Sequence, residues 1–192
     1  MSNIHKIKID DTIYTANTSF RNAIKCNQIS QDKSITDIER ELGIICTIFG
    51  RDGLMNQEHY DKLINWILDY LEDGEVIEQI EEPDMDYIED MDYIEASFMS
   101  DYNIDLEESD MDWHKFKNLI NGLSYSDEGN CCILNRVRNI RNIDLSTIED
   151  AKTRQKIKDI QDKVALKKNK KEVQLTEEQE SSMNALNKII GI

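Results

Sequence analysis

The sequence predicts a mainly α fold: a helical domain with a short N-terminal β-hairpin and a C-terminal tail helix. Three observations carry this. Apolar residues recur at three- and four-residue intervals in segment after segment. Only 7 glycines and 1 proline occur in 192 residues, which disfavours a turn-rich β sandwich or barrel. One stretch near the N-terminus alternates polar and apolar residues instead. The length suits one domain, read as residues 1–166 with the hairpin at 4–15, followed by a charged linker and amphipathic tail helix over 167–192.

Each element has a local reason. "IHKIKIDDTIYTA" alternates around Asp10-Asp11 and reads as a hairpin. Thr18 is read as the cap of a helix with Phe20, Ala23, Ile24 and Asn27 along one side. Thr36 and Glu39 have capping-box spacing, with Ile38, Leu42, Ile45 and Phe49 following at helical intervals and Gly50 as the stop. Tyr60, Leu63, Ile64, Ile67, Leu68 and Leu71 form a strongly amphipathic run, which Gly74 can end. Asp110 or Asp112 caps a helix carrying Trp113, Phe116, Leu119, Ile120 and Leu123. After a loop containing Gly129, Ile133, Val137 and Ile140 share one side of a segment whose Arg136, Arg138 and Arg141 lie mostly elsewhere. Ser146 or Thr147 is read as the cap of a helix with Ile157, Ile160 and Val164, and Thr176 as the start of a tail helix with Met183, Leu186 and Ile190 on one stripe.

Between Pro83 and Leu106 the six residues MDYIED are followed at once by MDYIEA. On an α-helix a six-residue step turns through about 600°, so the copies face directions roughly 120° apart. That excludes a heptad coiled coil here. The stripe Tyr87, Met91, Ile94, Phe98, Tyr102 is helical, with Asp86, Glu89 and Asp90 expected outside. No EF-hand loop is present, so calcium or magnesium is not expected.

The net charge of -16 belongs to one segment. From Leu63 to His114 there are 19 acids and no Lys or Arg, while residues 115–192 hold 15 basic and 11 acidic side chains. The acidic field disfavours nucleic acid and anionic membrane as partners. It permits a basic protein partner or mimicry of DNA, and the bland reading is that it keeps the chain soluble. Of the four cysteines, Cys26 and Cys46 fall in apolar helical patterns, as small hydrophobes. Adjacent Cys131 and Cys132 lack CxxC spacing, and reduced thiols in a cytoplasm are expected. The opening "MSNIHKIKIDD" has no apolar region of a signal peptide, and no run is long enough to span a bilayer.

No catalytic constellation assembles. His5, His59 and His114 are scattered, and HExxH, GxSxG, GxGxxG and GxxxxGK[ST] are missing. No catalytic residue, cofactor or metal ligand is assigned, and the chain is expected not to be an enzyme. Arg136, Arg138 and Arg141 could contact phosphate, but pairing with carboxylates within the fold or across a subunit interface suits so acidic a neighbour better.

Three motifs in order carry a resemblance: "YTANTSFRNAIKC" (Tyr14 to Cys26), "YIEASFMSDYNIDL" (Tyr93 to Leu106) and "MDWHKFKNLINGL" (Met111 to Leu123). The chain resembles the bacteriophage gene-product-fifteen family, found in tail modules of long-tailed phages and prophages of Gram-positive bacteria. The matching positions are Asn17, Thr18, Phe20 and Arg21; Ala96, Phe98, Asp101, Tyr102, Ile104, Asp105 and Leu106; and Trp113, Lys115, Phe116, Gly122 and Leu123. Ser19 departs, standing where the pattern has aspartate. The likeness runs from about Ile4 to Leu166.

The resemblance implies a tail assembly chaperone that binds the tape measure protein, keeps it soluble and helps recruit tail tube subunits. Its implied partners are the tape measure protein, the major tail tube protein, and a second tail chaperone or itself, with no nucleic acid and no membrane. Its expected place is the bacterial host cytoplasm and not the mature virion. Met183, Leu186, Ile190, Arg136, Arg138 and Arg141 are the candidate partner-binding residues. The alternatives are a structural tail component retained in the virion and an acidic DNA mimic that inhibits host defence. "KKNKK" also invites the thought of a slippery adenine run and a longer frameshifted product.

Overall fold

The computed structural model of the protein describes residues 3–72, 83–125 and 131–167. Two strands, β1 (Ile4–Ile9) and β2 (Thr12–Asn17), precede seven helices. These are α1 (Phe20–Gln31), α2 (Asp37–Phe49), α3 (Tyr60–Glu72), α4 (Met91–Tyr102), α5 (Trp113–Asn121), α6 (Ile133–Arg141) and α7 (Ala151–Val164). Short 3-10 turns fall at Gly50–Leu54, Gln57–His59 and Leu145–Thr147. The predicted class, mainly helical with a two-stranded antiparallel hairpin at the front, is the class observed.

The hairpin closes at Asp10-Asp11, with Ile9 opposite Thr12 and Ile4 opposite Asn17. Asp10 sits at φ 50, a left-handed conformation that aspartate tolerates better than bulkier residues do. Lys62 Nζ of α3 donates to Asp10 Oδ2 at 2.7 Å, fixing the turn to the helical body. The inward residues Tyr14 and Ala16 are buried, and Ile13 on the other face is exposed.

Two apolar cores result. One joins β2, α2 and α3 through Tyr14, Ile45, Ile48, Phe49, Leu63 and Ile67. The other joins α1, α4, α5 and α6 through Phe20, Ile94, Phe98, Phe116 and Leu134. Helix α1 belongs to both: Phe20, Ala23 and Ile24 point into the second and Cys26 into the first. Each fully buried phenylalanine or leucine contributes about 1.5–3 kcal/mol of transfer free energy, so these faces decide the packing.

The capping box at α2 forms: Glu39 N donates to Thr36 Oγ1 and Thr36 N to Glu39 Oε2. Gly50 ends the helix at φ 63. Several local expectations are corrected. Ser19, not Thr18, caps α1, its Oγ accepting from Arg21 N. Ile38 is 69% exposed, because α2 presents Ile44, Ile45, Ile48 and Phe49 to the core. Cys46 is exposed for the same reason. In α6 the buried side is Leu134 and Val137, leaving Ile133 exposed. Helix α7 is capped by Asp150, because Ser146 and Thr147 are taken up in the 3-10 turn before it. Asp86 and Asp90, expected outside, are buried. Gly74, Gly129 and the tail helix from Thr176 lie outside the described residues.

Candidate functional site

The three motif segments meet in one place. Residues 17–21 run beside residues 110–113: Phe20 N donates to Met111 O at 2.9 Å and Trp113 N to Thr18 O at 2.9 Å. Asn17 Oδ1 accepts from Ser19 N, shaping the step from strand to helix. Arg21 Nη2 donates to the carbonyl of Leu106 and, at 3.0 Å, to that of Glu107, strapping the chain between α4 and α5 to α1. Asp105 Oδ1 accepts from Glu107 N at 2.8 Å and holds that same turn. Beneath the straps Phe116 stacks on Phe20 at 4.5 Å between centroids and lies 5.4 Å from Phe98. Tyr102 stands edge-on to Phe98 and donates its hydroxyl to Leu119 O. The motif residues are therefore architecture: they join α1, α4 and α5.

Asp112 is the polar centre of this junction. It is 2% exposed, and its Oδ1 caps α5 by accepting from His114 N at 3.0 Å. Its Oδ2 accepts from Thr18 Oγ1 at 2.7 Å and Tyr70 OH at 2.5 Å, with His5 Nε2 at 3.3 Å. Burial pushes such a carboxyl upward, but the hydrogen bonds from Tyr70, Thr18, His5 and the His114 amide outweigh it, and the pKa falls below the usual carboxylate range. His114 stacks on Tyr70 at 4.3 Å and donates Nε2–H to the Tyr70 carbonyl at 2.7 Å. Every oxygen of Asp112 thus faces protein donors, and the group works as a clamp between β1, β2, α3 and α5.

Of the three candidate arginines, two are paired with carboxylates within the fold. Arg141 grips Asp90 with both Nη atoms at 2.7 and 2.6 Å, and donates Nε–H to Val164 O at 2.7 Å. Asp90 is 1% exposed, so this is a buried bidentate pair tying the approach to α4 to α6 and to the end of α7. Arg138 Nε donates to Asp84 Oδ2 at 3.1 Å. This is the intramolecular pairing that the acidic segment suggests. Arg136 is exposed. A polar cleft of about 230 Å³ between Asp84, Arg141 and Gln161 is lined by the same network. Met183, Leu186 and Ile190 lie outside the described residues.

An apolar concavity lies elsewhere among the described residues. Ile24 of α1, Ile44 of α2, Ile67, Leu68 and Leu71 of α3, and Trp113 of α5 line a groove of about 330 Å³, with Tyr87 at its edge. Trp113 is held in place by its Nε1–H, which donates to Leu71 O at 3.0 Å. Leu68 is 43% exposed, so the groove already presents apolar surface. Cys26 also lines it, but burial pushes its thiol up to about 12, leaving it a small hydrophobe without thiolate reactivity. Glu72 and Lys117 stand at the rim, Lys117 Nζ lying 5.7 Å from the Trp113 ring centroid. Sequence reasoning placed Leu68 and Leu71 on an apolar stripe but not this groove, whose walls come from four helices. Helical periodicity shows which face is apolar, not which part of it stays uncovered.

Among the described residues no helix is long and apolar enough to cross a membrane. No curated protein and no solved structure matches the chain. The family model described as "Bacteriophage Gp15 protein" matches residues 1–166, the stretch that holds the hairpin, the motif junction, the groove and the seven helices of the described residues. The chain therefore belongs to the bacteriophage Gp15 protein family, whose setting is phage structure or morphogenesis.

Proposed function

We propose that this phage protein is a tail assembly chaperone that binds the tape measure protein, keeps it soluble and helps recruit tail tube subunits. The observation that supports this reading is the apolar groove between α1, α2, α3 and α5, set in a chain of net charge -16. A groove with Leu68 and Trp113 on its walls suits the apolar stripe of an amphipathic helix, which is helix-in-groove recognition. Long tape measure helices expose such stripes, and covering them removes the surface through which they aggregate. The acidic field keeps neighbouring complexes apart and favours exchange for tube protein. The protein acts by binding rather than catalysis, in the host cytoplasm, and leaves before the virion is complete. A second chaperone or another copy of the chain completes the set of partners.

The test is co-expression with the tape measure protein of the same tail module and purification through a tag on this chain. Soluble tape measure protein that co-purifies supports the reading. Its loss when Met183, Leu186 and Ile190 are made polar would place the tail in the contact. Tape measure protein that stays insoluble and unbound would end it. Abundance of this chain in purified particles equal to that in lysates would favour a retained structural component instead.

A further inference from the structure

Among the described residues α7 is the one α-helix without a buried side chain. None of its residues is buried; it is held to α6 by Gln161, whose Nε2 donates to the carbonyls of Ile140 and Ile143, each at 2.9 Å, and by Leu166 just beyond it. Half-buried Ile157, Gln161 and Val164 turn toward α6. The exposed side carries Lys152, Lys156, Ile160 and Lys163 at i, i+4, i+8 and i+11, one continuous face of a helix, with exposed Asp159 at i+7 among them. Ile160 is 44% exposed in the middle of it. No ion pair of these lysines is present among the described residues.

A complementary face exists on α4. Asp92, Glu95, Ala96 and Met99 lie at i, i+3, i+4 and i+7, and Met99 is 45% exposed. The two acids have no ion pair among the described residues, whereas the inward acids Asp84 and Asp90 are paired. Glu107 and Asp105 add further negative charge beside Glu95, and Arg21 offsets part of it. Small Ala96 leaves room for a close approach. One face is net cationic, three lysines against Asp159, around an exposed isoleucine; the other is anionic around an exposed methionine.

We propose that α7 of one copy docks on the α4 face of a second copy, head to tail. The two faces are different surfaces, so the contact is heterologous and each bound copy still offers one free face of each kind. Such a contact extends into rows unless the rotation closes a ring. Lysines seat beside Asp92 and Glu95, and Ile160 covers Met99 and Ala96. The net charge of -16 opposes association at long range, but at physiological salt that repulsion decays over about 8 Å, while ion pairs at contact distance are screened much less. Rows are therefore favoured near physiological salt and weakened at both extremes.

The test uses the full chain and two neutralised variants. One carries Lys152→Gln, Lys156→Gln and Lys163→Gln; the other carries Asp92→Asn and Glu95→Gln. All substituted residues are exposed or half-buried, and circular dichroism confirms that each variant folds. Mass is measured by light scattering after size-exclusion chromatography over a concentration series. The expected result is wild-type mass that rises with concentration, two variants that remain monomeric, and a mixture of the two that stops at a 1:1 dimer. A wild type that stays monomeric at its solubility limit overturns the proposal. So does either variant associating as the wild type does, or a mixture that forms no heterodimer.

Discussion

Thr18 Oγ1 donates a 2.7 Å hydrogen bond to Asp112 Oδ2 across 94 residues of sequence. That contact joins the end of the hairpin to the cap of α5. It puts the first and third family motifs in one hydrogen-bonded unit with Tyr70 of α3.

Asp112→Ala should therefore be among the most damaging polar substitutions. It removes the carboxylate that accepts from Thr18, Tyr70 and the His114 amide, at a cost of about 1–3 kcal/mol for each buried donor that finds no other acceptor. Urea unfolding measures the loss. Because the folded-state pKa of Asp112 lies below its ordinary value, its stabilisation is present above about pH 4 and disappears as pH falls through the depressed folded value. The stability gap between wild type and Asp112→Asn should narrow over that acidic range.

Breaking the Arg141–Asp90 pair from one side leaves a buried, uncompensated charge. Arg141→Met or Asp90→Leu alone should cost about 3–5 kcal/mol, whereas the double variant should cost less than the sum of the two, the remainder being the lost bonds to Val164 O, Asp84 O and Asp86 N. A double-mutant cycle by denaturant unfolding gives the coupling directly. Additive single losses would show that each side chain acts through other partners.

Gly122 ends α5 against Tyr102. A Cβ added there would lie 2.9 Å from the Tyr102 hydroxyl and 3.3 Å from Asn118 O. Gly122→Ala should destabilise the fold by roughly 1–3 kcal/mol. Tyr102→Phe, which removes the crowding oxygen, should relieve part of it even though it gives up the bond to Leu119 O.

Ser19 Oγ donates to Asp110 Oδ1 at 2.5 Å. Placing the aspartate of the family pattern at this position would set two carboxylates side by side. Ser19→Asp should destabilise the protein at neutral pH, and Asp110→Asn should suppress the effect. Thermal melts of the two single variants and the double variant check this.

What could be read in advance followed the range of the forces involved. The stripe of Tyr60 to Leu71 and the box of Thr36 and Glu39 are local, and both formed. The motif residues Phe20, Phe98 and Phe116 were recognisable as a set, and they share one core. Asp90 could not be read: its burial depends on Arg141, 51 residues later. Ile38 and Cys46 sit on apolar spacing, yet α2 rotates so that Ile44 and Ile48 meet α3 and β2 instead. The groove belongs to the same class of feature. Its residues are visible one helix at a time, and only their assembly leaves Leu68 partly uncovered beside Trp113.

The most direct test of the chaperone account replaces Leu68 with a photo-crosslinking amino acid and irradiates cells that co-express the tape measure protein. The account predicts a covalent adduct between the two chains from position 68, and none from exposed Ile13 on the outer face of the hairpin. Co-purification of the two proteins without any adduct from position 68 would contradict it and move the binding surface away from the groove.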